Sequence, residues 1–93
     1  MLEVLIADDE RIQREGLLDY VDWNEYGMEV VACASNGYEA LELIKLHKVD
    51  VLITDIKMPK MDGLELSKRV REIIPDIKIL IISGNSFFQC KIS

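Results

Sequence analysis

Four acidic side chains in this sequence stand where an apolar run stops, and the chemistry that such groups serve is the holding of a hard cation or the handling of a phosphoryl group. Asp8, Asp9 and Glu10 follow Val4-Leu5-Ile6-Ala7, and Asp55 follows Val51-Leu52-Ile53-Thr54. A lone acid at the end of a strand is most often a turn residue or a helix cap. Two acidic clusters at the same relative place change that reading. Parallel strands point the same way, so their carboxyl ends share one edge. In open α/β sheets that edge, where the strand order reverses, is where ligands bind. Carboxylates about 5 Å apart repel by roughly 3 kcal/mol at an effective dielectric near 20. Such a cluster is offset either by a raised pKa on one acid or by a hard divalent cation, and oxygen ligands with open positions suit Mg²⁺. Beside that cation a carboxylate oxygen of Asp55 can attack a phosphoryl group and form an acyl phosphate. Ser83, after the apolar run Ile77 to Ile82, can donate a hydrogen bond to a phosphate oxygen.

The elements that must position these groups alternate along the chain. Glu10 to about Tyr20 carries Ile12, Gly16, Leu17 and Tyr20 at helical spacing, with Arg11, Arg14 and Glu15 opposite, and is predicted to be a helix. The stretch from Val21 to Met28 is predicted to be a loop, with the only Trp, Trp23, as a lid on the core. Glu29 to Ala34 reads as a second strand. Asn36 with Glu39 is a variant capping box that opens a helix to about His47, and His47 is expected at the surface near that helix terminus. Val51 to Asp55 is a strand covered on both faces. Asp62-Gly63-Leu64-Glu65 caps a third helix with Leu66, Val70, Ile73 and Ile74 inward, which Pro75 stops. The order strand, helix, strand, helix, strand, helix, strand predicts an α/β fold: a parallel sheet with helices on its faces.

Ninety-three residues, 49% apolar, make one small globular domain. A net charge of −6 argues against a nucleic-acid surface within these residues. No apolar run is long enough to span a bilayer, and the N-terminus meets acidic residues by Asp8, so neither a membrane span nor a signal peptide is expected and the chain is placed in the cytoplasm. Cys33 and Cys90 fit that compartment as free thiols, Cys33 in the core.

These residues together resemble the receiver domain of a two-component response regulator. The resemblance rests on Asp8-Asp9 after the first strand, Asp55 with Met58-Pro59 and Asp62-Gly63, and Ser83-Gly84 after the fourth strand, and it covers about residues 2 to 86. Val21-Asp22-Trp23 and Tyr26-Gly27-Met28 are also similar to regulators whose receiver precedes an AraC-type DNA-binding output domain. The resemblance implies a flavodoxin-like, doubly wound parallel sheet and a Mg²⁺-dependent transfer to Asp55, the phosphoacceptor, from a histidine of a sensor kinase. It further implies Asp8, Asp9, Asp55 and the backbone carbonyl of Lys57 as metal ligands, and Ser83 as the switch hydroxyl. Receivers continue with a helix, a fifth strand ending in Lys-Pro and a last helix. Residues 86–93 offer no counterpart to that lysine, so the chain is expected to be a receiver truncated after the fourth strand (1–86) with a non-family tail (87–93), lacking the fifth strand and last helix, and impaired in its chemistry.

That loss predicts an exposed edge on the fourth strand, which invites pairing with a second copy. The tail itself reads two ways. Phe88 and Ile92 are spaced for a helix, while Phe88, Cys90 and Ile92 alternate as a strand that Gly84-Asn85 would turn back along the fourth strand. The alternative to a phosphoacceptor is an interaction or self-association module without phosphorylation. A flavodoxin-like cofactor binder is disfavoured, because Asp8-Asp9-Glu10 stands where a phosphate-cradling loop is needed. A phosphohydrolase would want Asp-x-Asp after the first strand, so no enzyme turning over a separate substrate is expected.

Overall fold

The computed structural model describes residues 1–82 and, as a strand, Cys90–Ile92. In chain order the elements are β1 (Leu2–Ala7), α1 (Arg11–Tyr20), a short 3-10 turn (Trp23–Tyr26), β2 (Met28–Ala34), α2 (Gly37–Leu46), β3 (Val51–Asp55), α3 (Gly63–Ile73), β4 (Lys78–Ile82) and β5 (Cys90–Ile92). The sheet order is β2-β1-β3-β4-β5. The first four strands are parallel, and this is the flavodoxin-like, doubly wound arrangement. Order reverses between β1 and β3, since the chain leaves β1 for one side of the sheet and returns to build the other.

The fifth strand is antiparallel. Leu80 pairs with Ile92, Ile81 with Lys91 and Ile82 with Cys90. Of the two arrangements expected for the tail, the returning strand is the one adopted, and it takes the edge of β4 that was expected to be open. Gly84-Asn85, the expected turn, lies outside the described residues.

Alternation along the strands feeds two cores. Leu5, Ala7, Leu52, Ile79 and Ile81 pack with Ala40, Ile44, Leu66 and Val70 of α2 and α3. Val4, Ile6, Val51, Ile53 and Ile82 pack on the other face with Leu17 of α1, joined by Trp23, Met28 and Leu80. That second face is the more thinly covered, and a groove of about 290 Å³ runs between Leu17, Trp23, Val51, Ile53 and Ile82.

The thin cover explains why α1 departs from its expected face; α3, which packs on the first core, departs from its own as well. In α1 the buried residues are Gln13 and Leu17, whereas Ile12 and Tyr20 are 84% and 90% exposed. A helix lying alone on that part of the sheet touches it along one narrow stripe, and Ile12 is a rotation away from it. In α3 the inward set is Leu66, Ser67 and Val70, and Ile73 is exposed. Ser67 is tolerated inside because its hydroxyl donates to the Gly63 carbonyl at 2.7 Å, so no polar group is left unpaired. Trp23 is half-buried over the second core, and its Nε1 donates to the Leu17 carbonyl at 3.1 Å, capping the end of α1. Cys33 is likewise half-buried rather than fully in the core. His47 is exposed at the end of α2, as expected. No helix among the described residues is long and apolar enough to cross a membrane.

Candidate functional site

The register of the sheet brings the acids together. Val4 lies beside Val51 and Ala7 beside Thr54, so the residue after β1, Asp8, comes level with the last residue of β3, Asp55. The Asp8 N–H still donates to Ala34 at 3.0 Å, which holds it in the line of β1. Carboxylate oxygens of Asp8, Asp9 and Asp55 lie within 4.8 Å of one another, at the point where the strand order reverses. Strand pairing thus brings Asp55 beside Asp8 across nearly fifty residues of chain, and the turn after β1 adds Asp9.

Their burial is greater than a rim position predicts. Asp8 is 1% exposed and Asp55 5%, while Asp9 is exposed. One Asp8 oxygen accepts from the Glu10 N–H at 2.9 Å, and the Arg14 guanidinium pins the turn by donating to the Asp8 carbonyl at 2.6 Å. Asp8 Oδ2 and Asp55 Oδ1 are buried without any hydrogen-bond partner. A buried carboxylate oxygen with no donor is costly, and native folds rarely keep one without a use for it.

The titration of the pair follows from this. Burial pushes Asp8 up to about 6; the Glu10 N–H opposes the rise, and the charges of Asp55, Asp9 and Glu10 add to it. Asp55 is raised for the same leading reason, with the backbone N–H groups of Ile56 and Lys57 pulling it back and Asp9 and Glu10 pushing it up. Two unpaired oxygens from different strands, an exposed third carboxylate and an all-oxygen donor set form a site that a hard divalent cation fits. Lys57 lies two residues past Asp55, at the start of the β3–α3 loop, with its side chain exposed. Ser83 lies outside the described residues, as do Gly84 and residues 86–89.

The loop that follows Asp55 is held tightly. Gly63 donates its N–H to the Ile56 carbonyl at 2.8 Å, and a Cβ at Gly63 would run into the Asp55 carbonyl oxygen. Only glycine allows α3 to start so close to the end of β3. Thr54 contributes as well, its hydroxyl donating to the Asp55 carbonyl at 3.0 Å. Asp62, although acidic and on the same rim, accepts from the Glu65 N–H at 2.8 Å as the cap of α3. Sequence reasoning found Asp62-Gly63 as a helix start but missed the close approach to Asp55, and it read Arg14 as an outward-facing residue of α1 without its hold on the Asp8 turn. The Asp-Gly pair carried a signal for the first; a basic residue on the polar side of an amphipathic helix carried none for the second.

The family of response regulator receiver domains matches residues 4–91 of the chain. The chain is 40% identical over 89 residues to the uncharacterized transcriptional regulatory protein YesN of Bacillus subtilis, covering 96% of this chain and 24% of YesN. Among solved structures, the receiver domain of AraT, a response regulator from Geobacillus stearothermophilus, superposes with a TM-score of 0.83 and 55% identity over 88% of this chain and 64% of that one. CheX-CheY-BeF3-Mg²⁺ from Borrelia burgdorferi is similar with a TM-score of 0.78 and 29% identity, covering 89% of this chain and 62% of the matched one. The chain therefore spans about a quarter of the length of the curated relative and nearly two thirds of each receiver structure.

Proposed function

This chain belongs to the response regulator receiver domain family, the phosphoacceptor modules of two-component signalling, and from that premise we propose that Asp55 is the residue that takes the phosphoryl group. The observation that carries the reading is the buried, unpartnered Oδ1 of Asp55 beside Asp8 and Asp9 at the switch point of the sheet. In the transfer, a lone pair on that carboxylate forms the new oxygen–phosphorus bond. The bond from phosphorus to the donor's histidine nitrogen breaks, and its electron pair leaves with the imidazole. Asp55 is held for this step at the end of a strand paired on both sides, with the Gly63 approach and the Thr54 hydroxyl fixing its carbonyl.

Asp8, Asp9, Asp55 and the Lys57 carbonyl hold Mg²⁺, which when bound neutralises negative charge on the phosphoryl oxygens. Ser83 supplies the hydroxyl that answers the phosphate. The donor is a sensor histidine kinase and the setting is cytoplasmic. The output, supplied by a separate AraC-type domain, is transcriptional. This segment itself makes no nucleic-acid contact, in keeping with its net charge of −6. The domain takes in 1–86, and Cys90–Ile92 of the 87–93 tail joins its sheet. The reading as an interaction module alone is disfavoured, because Cys90–Ile92 already occupies the β4 edge over Leu80–Ile82.

The test is labelling by a small phosphodonor such as acetyl phosphate. Wild-type protein is expected to take up one acid-stable, base-labile phosphoryl group in Mg²⁺ and none in chelator. Asp55→Asn is expected to lose at least about a hundredfold in labelling rate, since it removes the attacking oxygen. Equal labelling of Asp55→Asn and wild type would falsify the assignment.

A further inference from the structure

The loop between β3 and α3, residues 56–62, is gripped at two points by glycines from different helices. At its end, Gly63 lets α3 abut the Asp55 carbonyl. At its crest, Met61 is only 2% exposed and lies against Gly37, the first residue of α2. A Cβ on Gly37 would be 2.7 Å from Met61 Sδ and 3.0 Å from its Cβ and Cγ, inside ordinary contact distance.

Just before Met61 the backbone is bent hard. Lys60 has φ +70°, and the Met61 N–H donates to the Pro59 carbonyl at 2.7 Å, closing a γ-turn across Lys60. A non-glycine residue is kept there only when its surroundings over-determine it. The seat of Met61 against Gly37 is such a constraint. The loop crest also faces the acids: Pro59 and Lys60 line a hollow of about 390 Å³ with Asp9, Ser35, Asn36 and Tyr38.

We propose that Gly37 is a positioning residue for the phosphoryl chemistry at Asp55: its bare backbone seats Met61, and that seat sets how closely the 56–62 loop covers the acid pocket. The inference rests on the reading of Asp55 as phosphoacceptor. A methyl group on Gly37 has nowhere to send Met61 but back into its own loop, because the side chain is enclosed. The crest then lifts from the Asp9 side and water gains access to the acyl phosphate. Water oxygen bonds to phosphorus, the phosphorus–oxygen bond to Asp55 breaks, and inorganic phosphate leaves with the carboxylate restored.

The experiment follows the half-life of acetyl-phosphate-labelled protein for wild type, Gly37→Ala, Met61→Ala and the double variant, with the thermal transition of each recorded alongside. Gly37→Ala is expected to shorten the half-life about tenfold, as a displacement of a fraction of an ångström can. Met61→Ala removes two of the three crowding atoms, so the double variant is expected to regain most of the lost lifetime while remaining less thermostable than wild type. A lifetime that simply follows thermal stability, with the double variant worst in both, overturns the proposal, and so does a half-life unchanged in all three. If Gly37→Ala does not fold, the double variant is expected to outlive Met61→Ala, and equal lifetimes overturn the proposal. Wild type labelled and Asp55→Asn unlabelled in the same assay keep the acceptor reading standing whatever Gly37 does; wild type without label overturns both.

Discussion

Asp50 and Asp55 flank the same strand, one just before β3 and one at its end, and they are held in opposite ways. Asp50 is engaged on side chain and backbone alike: its Oδ2 accepts from the Glu3 N–H at 2.9 Å, its own N–H donates to the Glu3 carbonyl at 2.8 Å, and its carbonyl accepts from the Lys78 N–H at 3.1 Å. It ties the starts of three strands together. Asp55 is more buried yet has an oxygen with no partner, next to two more acids. The same side chain is a structural clamp at the amino end of the sheet and an unspent ligand at the carboxyl end. Residue type and strand are shared; what separates the two is the end of β3 on which each stands and whether its carboxylate oxygens find donors. Asp62 sharpens the contrast, because it stands on the acidic rim and is nonetheless consumed as a helix cap.

The largest effect expected from this contrast is a pH dependence confined to the unspent end. Asp8 sits near 6 when folded against an ordinary 3.8. Between those values the folded state keeps a proton that the unfolded chain has released, so stability falls as pH rises through that window. Across it the loss amounts to up to about 3 kcal/mol. Urea titrations in chelator from pH 4 to 7 are expected to show the decline, and Asp8→Asn to flatten it while gaining stability at pH 7. Stability rising over the same window would break the contrast. Next in size is Asp50→Ala, which strips the Glu3 N–H of its acceptor and is expected to cost about 1–2 kcal/mol with labelling of Asp55 kept within a few-fold of wild type. The smallest is Asp62→Ala, expected to cost about 1 kcal/mol through the lost cap of α3, read as a lower urea midpoint at unchanged slope. Loss of Mg²⁺-dependent labelling in Asp62→Ala would move that residue to the other side of the comparison.

The sequence disclosed most of the frame because each element carried its own local signal. The strands at Val4 and Val51 are short β-branched and aliphatic runs, and both capped helices begin where Asn36 and Asp62 announced them. Convergence of Asp8, Asp9 and Asp55 followed from parallel pairing, which needs no side-chain detail. The depth of the two buried acids did not follow, because burial at a strand end depends on how closely the next loop folds back, here on Gly63 and Thr54. The true inner face of α1 was also illegible. Periodicity marks several apolar stripes on that helix, and only the sheet it meets decides that Gln13 goes in and Ile12 stays out. The antiparallel course of Cys90–Ile92 was one of two readings that spacing alone left equal.

The central place of β3 has a consequence for when the protein becomes competent. Val51–Asp55 pairs on one side with a strand from the start of the chain and on the other with one that follows a whole helix. Neither partner is local, so the strand is seated only after long loops have closed, a slow class of event in folding. Asp55, the proposed acceptor, meets its neighbouring acids only once the non-local pairing of β3 with β1 is made. A nascent or half-collapsed chain carries every one of these residues and still cannot receive a signal, which makes readiness to respond a certificate of having folded.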